Sequence, residues 1–196
     1  VANRQPDPRP ARPMNAGNLV SVVMPCFNGA ARLHAAVDSV FAQTHPHLQV
    51  IVVHDPRQAD APPSEPPTPD PRVETLALPA PSGAAQARNA GLARAHGGWT
   101  AFLDDDDEWL APKLERQLDV AVATDAGLVY CAYELVSDNG PARIAPWIPE
   151  PAGLADTDFL RDTAFNCSVP LIRTDLLRAA GGFDPDLPSA QDKDLW

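Results

Sequence analysis

The sequence predicts a doubly wound α/β fold, with a mostly parallel central sheet and helices on both faces. Three observations carry this prediction. Apolar runs rich in β-branched residues alternate with segments of helical periodicity. The links between them are mostly short, as in chains that wind back and forth across one sheet. The runs are near-continuously apolar, which suits strands covered on both sides rather than on one.

Each element follows from a local pattern. Residues 19–24 form an apolar run that ends at Pro25 and reads as a buried strand. After Asn28 and Gly29, the residues Leu33, Val37, Val40 and Phe41 recur on one helical face, with Pro46 beyond them. Residues 50–53 and 73–78 are the next two strands. Ser82 is placed to cap a helix running to His96 and closed by Gly97 and Gly98. The strand at 100–103 opens directly into Asp104, Asp105, Asp106 and Asp107. Pro112 suits the start of a helix that runs to about Thr124, and 128–133 is a further strand. Between Pro56 and Pro71 the chain is too rich in proline for the helix the alternation would place there, so an extended loop is expected. From 138 to 151 only a turn at Asn139 and Gly140 is legible.

Composition bounds the rest. With 196 residues, 44% of them hydrophobic, the chain can bury one sizeable core. Proline, with 23 residues, is well above ordinary usage and clusters in an N-terminal arm, residues 1–18, and between Pro56 and Pro81, where a loop is expected at 56–72. The expected division is that arm followed by one domain, 19–196, in two parts at 19–110 and 111–196. The chain ends at Trp196 inside a charged, helix-like stretch, which points to truncation of a longer parent. A formal net charge of −11 argues against nucleic acid as a partner, because phosphate-backbone recognition leaves a basic stripe. Cys26, Cys131 and Cys167 are odd in number and widely spaced, a pattern of neither a disulfide framework nor a zinc site. A reducing, cytoplasmic setting is the simplest fit. No apolar run is long enough to span a bilayer and the start carries no signal peptide, while peripheral association with the inner face of a membrane stays open.

In doubly wound sheets ligands bind beyond the carboxyl ends of the strands. Asn28, Asp55 and the four aspartates all fall at those ends, so the topology gathers them into one cleft. Four adjacent carboxylates repel one another, and an oxygen-seeking divalent cation such as Mg2+ or Mn2+ would relieve that repulsion. The plain alternative is a solvated loop whose last acid caps the next helix. Position favours the cation, since Phe102 and Leu103 before the run, and Trp109 and Leu110 after it, anchor it in the core.

Six segments in order resemble one known family: VSVVMPCFN from Val20 to Asn28, SVFAQT from Ser39 to Thr44, ARNAG from Ala87 to Gly91, FLDDDDEW from Phe102 to Trp109, GGFD from Gly181 to Asp184, and QDKDLW from Gln191 to Trp196. They are similar to family 2 of the glycosyltransferases, which has the GT-A fold. The resemblance spans about Leu19 to the last residue. It implies an inverting transfer of a sugar from a nucleoside-diphosphate sugar, UDP-linked by preference, to a hydroxyl of a saccharide, lipid-linked or protein acceptor. It also implies roles. Pro25, Phe27 and Asn28 lie in the donor-binding segment, with Phe27 as the aromatic that stacks on the base. Asp55 matches the acid that accepts from the base, and Arg88 an arginine near the nucleotide. Asp106 matches the last acid of a D-x-D motif and would bind the metal bridging the diphosphate, with Asp104 and Asp105 facing the ribose or bracing the metal. Asp192 matches the catalytic base, supported by Asp194.

Each role has a bland counterpart: core packing for Phe27, a strand-end turn for Asp55, ion pairing with the acidic loop for Arg88 and a helix-terminal acid for Asp192. The sequence also departs from the family pattern. His54 precedes Asp55 where a second acid is usual, Gln191 replaces a glutamate, and proline-rich chain replaces a helix. Two other functions compete. A sugar nucleotidyltransferase would want a glycine-rich basic loop after the first strand, which residues 26–29 lack. A non-catalytic nucleotide- or metal-binding module would keep the donor site alone. Trp99 and Trp147 fit sugar stacking or burial equally.

Overall fold

The computed structural model describes residues 18–27, 32–56, 69–137, 140–142 and 166–187 together with Leu195. In chain order the elements are β1 (Val20–Cys26), α1 (Leu33–Phe41), β2 (Leu48–His54), β3 (Val73–Ala77), α2 (Ala84–Arg94), β4 (Trp99–Phe102), α3 (Lys113–Thr124), β5 (Leu128–Val129), β6 (Leu135–Ser137), β7 (Gly140–Ala142), β8 (Leu171–Arg173) and α4 (Thr174–Ala179). The main sheet runs β3-β2-β1-β4-β8-β5, and β6 and β7 pair separately. β1 is parallel to both β2 and β4, and β2 to β3. β8 is antiparallel to β4 and β5. The sheet is thus mostly parallel, as predicted, but β8 and α4 have no counterpart among the predicted elements.

Period-two alternation along the strands builds two apolar layers. Val20, Val22, Met24 and Cys26 of β1 pack with α1, with Leu114 and Leu118 of α3, and with Val50 and Val52 of β2. On the opposite face Val23, Ile51, Val53 and Phe102 pack with Ala85, Ala87 and Leu92 of α2 and Leu177 of α4. Helices therefore cover both faces. Trp99 is partly buried and packs against the first layer. α2 lies so close to β1 that a Cβ at Gly91 would stand 2.3 Å from Val23 Cγ1.

Several predicted boundaries shift for physical reasons. β1 continues through Pro25 to Cys26, with Pro25 opposite Val53 of β2. The carbonyl of Val23 accepts from Leu103 on the β4 side, and Pro25, two residues on, faces the same way. Pairing with β4 ends at Val23, so the amide hydrogen that proline lacks has no ladder bond to make. The strand expected at 128–133 is only Leu128–Val129, because its partner β8 is itself a short strand that follows Pro170. Ser82 does not cap α2: its hydroxyl donates to the carbonyl of Ala80, and Gly83, at φ 87°, holds the cap position. The proline-rich crossover at 57–68, most of the 138–151 stretch and Trp147 lie outside the described residues.

Candidate functional site

The carboxyl ends of β1, β2 and β4 lie side by side. The amide of Asp55 donates to the Cys26 carbonyl at 2.8 Å, and that of Leu103 to Val23 at 3.0 Å. Phe27, Asp55 and the acidic run therefore share one rim of the sheet, as the predicted topology requires.

Asp55 is 2% exposed. Its two oxygens accept from the amides of Ser82 at 2.9 Å and Gly83 at 2.7 Å. The acid thus caps α2 from a neighbouring strand, supplying the acceptor that Ser82 does not. Each oxygen keeps a second lone pair for a ligand donor.

The four aspartates have different fates. A turn carries them, closed by the Asp107 amide donating to the Asp104 carbonyl at 3.1 Å. Asp104 pairs with the Arg88 guanidinium at 2.7 Å, and Arg88 is nearly buried. Arg88 thus holds the acidic loop from α2. Asp105 accepts from the Phe27 amide at 3.1 Å. Burial pushes the Asp105 carboxyl up, against the opposing pull of the Phe27 amide and the Cys26 thiol. Asp107 accepts from the Ser168 hydroxyl at 2.6 Å, and burial pushes its carboxyl up as well. Asp106 alone of the four is exposed, and its side chain has no hydrogen bond or ion pair among the described residues.

Behind the turn, Trp109 donates its indole N–H to the Ser168 carbonyl at 2.8 Å and its amide to Ser39 Oγ at 3.0 Å. Lys113 Nζ stands 4.1 Å from the centroid of the Trp109 ring and donates to Gln117 Oε1 at 2.9 Å. Burial lowers the Lys113 pKa to about 8. On α2, Asn89 bonds both backbone groups of Phe183, donating to its carbonyl at 2.7 Å and accepting from its amide at 2.8 Å. A Cβ at Gly182 would meet Asn89 Oδ1 at 2.5 Å, which accounts for a glycine there. The adjacent residues Arg88 and Asn89 thus tie the acidic turn and the GGFD segment to one helix.

The structure brings together Pro25, Phe27, Asp55, Arg88 and Asp104 through Asp106. Asn28, Asp192 and Asp194 lie outside the described residues. Ser168, Asn166 and Lys113 are additions that the sequence did not single out. A serine before a short apolar run is ordinary turn chemistry, and no spacing connects it to a turn some sixty residues earlier.

No group of three or more His, Cys, Asp or Glu among the described residues could hold a metal unaided. A hard cation shared with substrate phosphates takes one or two protein carboxylates. An exposed carboxylate beside three half-buried ones, with oxygen the only donor, fits such an ion.

The glycosyl transferase family 2 model matches residues 21–171. TuaG of Bacillus subtilis (strain 168), a protein assigned to teichuronic acid biosynthesis as a glycosyltransferase, is 33% identical over 181 residues, covering 91% of this chain and 70% of that protein. WfgD of Escherichia coli, a UDP-Glc:α-D-GlcNAc-diphosphoundecaprenol β-1,3-glucosyltransferase, is 34% identical over 121 residues, covering 62% of this chain and 48% of that protein. Among solved structures, the mannosyltransferase PcManGT from Pyrobaculum calidifontis, in complex with GDP-Man and Mn2+, superposes with a TM-score of 0.62. The match is 21% identical and covers 90% of this chain and 50% of that one, so it speaks to the GT-A fold alone. With six motifs in order, a six-stranded sheet of this topology and a family match over most of its length, the chain belongs to glycosyl transferase family 2.

Proposed function

We propose that the chain carries the donor half, residues 19–110, and the start of the acceptor half, 111–196, of an inverting, divalent-metal-dependent glycosyltransferase. Its donor is a nucleoside-diphosphate sugar, UDP-linked by preference, and its acceptor a hydroxyl of a saccharide, a lipid-linked sugar or a protein. The observation that carries this reading is the sorting of the aspartates: three are held by Arg88, Phe27 and Ser168, and Asp106 is left facing solvent at the carboxyl edge of the parallel strands.

Phe27 stacks on the base, and Asp55, oriented by two backbone donors, accepts an N–H from it. Pro25 and Asn28 shape the same segment. Asp106 is the metal ligand, with Asp104 near enough to join it if Arg88 turns to phosphate. Bound there, Mg2+ or Mn2+ would carry the charge that grows on the leaving diphosphate. The acceptor oxygen attacks the anomeric carbon as the bond to the diphosphate oxygen breaks, that oxygen keeps the electron pair, and Asp192 takes the hydroxyl proton. The activity of WfgD supports a UDP donor and a lipid-linked acceptor, and Mn2+ accompanies the nucleotide sugar in PcManGT, a neighbour in fold. Among the described residues no helix is long and apolar enough to cross a membrane. A cytoplasmic site of action, peripheral at the inner membrane face, joins these points.

Calorimetric titration with UDP, with and without Mn2+, tests the reading. Binding strengthened by Mn2+ is expected, and no binding of any nucleoside diphosphate would overturn it. In the full-length protein, Asp192→Asn should keep UDP affinity and abolish transfer, and transfer near the parent rate removes Asp192 from the base role.

A further inference from the structure

Ser168 is 6% exposed and comes from the segment before β8, far from the acidic run in sequence. Its hydroxyl accepts from the Asp104 amide at 3.1 Å and donates to Asp107 Oδ2 at 2.6 Å. The directions are forced, since a backbone N–H only donates, a carboxylate only accepts, and a hydroxyl can do both at once. One atom therefore grips the first and the last residue of the turn.

The grip is itself held. The Ser168 amide donates to Asn166 Oδ1 at 3.0 Å, and the Ser168 carbonyl accepts the Trp109 indole N–H. Trp109 in turn follows the acidic run by two residues and lies buried beneath Lys113. A closed circuit of hydrogen bonds thus runs from the turn through Ser168 and back to the chain just beyond the turn. Four adjacent carboxylates repel, and such a turn would open without fixed donors at its ends.

We propose that Ser168 is a positioning residue for donor binding. Its hydroxyl fixes residues 104–107 so that Asp106 presents its carboxylate outward, toward a divalent cation and the donor diphosphate. This rests on the donor-site reading above. The chemistry is that of an outer partner orienting a ligand it never replaces, where loss costs metal affinity rather than fold.

The test compares the parent with Ser168→Ala and Ser168→Thr by calorimetric UDP titration, with and without Mn2+. The metal-free UDP affinity should be unchanged in both variants, which also reports that each is folded. The gain in affinity conferred by Mn2+ should fall about tenfold in Ser168→Ala and persist in Ser168→Thr, which keeps the hydroxyl. A full gain in Ser168→Ala overturns the positioning role. So does an equal loss with and without metal, or a lost gain in both variants, since either assigns the defect to packing. A parent that shows no gain from Mn2+ overturns the donor-site reading, and this proposal with it.

Discussion

At Asp106 a single carboxylate stands in water while its neighbours are spoken for. Asp104 is paired with Arg88, Asp105 with the amide of Phe27, and Asp107 with Ser168. Those bonds separate residues that are chemically identical in the sequence. They make Asp106→Ala the informative substitution: it should remove the Mn2+-dependent gain in UDP affinity and leave metal-free binding unchanged. Unaltered Mn2+ dependence, read in the same titration, would move the ligand to Asp104. Asp55 shows the converse. Its role in the fold, capping α2 from the end of β2, is fully visible in the structure, and the proposed contact to a base would use the remaining lone pairs of the same oxygens.

At the scale of elements, α2 is the strut of the site. Its N-terminus is held by Asp55, its middle supplies Arg88 to the acidic turn and Asn89 to Phe183, and its inner face lies on β1 through Gly91. The close approach at Gly91 predicts that Gly91→Ala destabilises the fold by about 1–3 kcal/mol, the usual cost of overpacking, although alanine favours helix. Urea unfolding measures this directly. In a Val23→Ala background the penalty should largely vanish, because Val23 Cγ1 is the atom the new methyl would strike. Additive costs for the two changes would refute the close-packing account.

For the whole molecule, the acidic turn couples stability to pH and, through the proposed cation site, to metal. Burial raises the folded pKa of both Asp105 and Asp107 above the ordinary carboxylate value. For an acid shifted upward, the favourable contribution is complete below the unfolded pKa and is lost as pH rises through the folded one. The metal-free chain should therefore lose stability as pH climbs out of the carboxylate range, and its net charge of −11 adds to the trend. A divalent cation held at the proposed site would bind the ionised form and oppose the loss. Thermal unfolding with saturating Mn2+ and UDP should show a larger rise in Tm near pH 7.5 than near pH 5, and an equal rise at both would contradict the coupling.

The fold class and most of the rim were legible in the sequence because both rest on local information. Strand and helix periods identify β1, α1, β2, β3, α2, β4 and α3, and the rule that strand ends face one edge gathers Asn28, Asp55 and the aspartates. β8 was not legible, because three residues give no period, and its antiparallel place between β4 and β5 depends on contacts made across the sheet. Nor was the cap of α2, which Ser82 advertises locally and Asp55 supplies from another strand. The sequence by itself determined that four carboxylates would crowd one strand end. Which of them faces solvent was decided by Arg88, the Phe27 amide and Ser168, donors brought to the turn from α2, β1 and the approach to β8, and hydrogen bonds between distant segments leave no trace in local spacing.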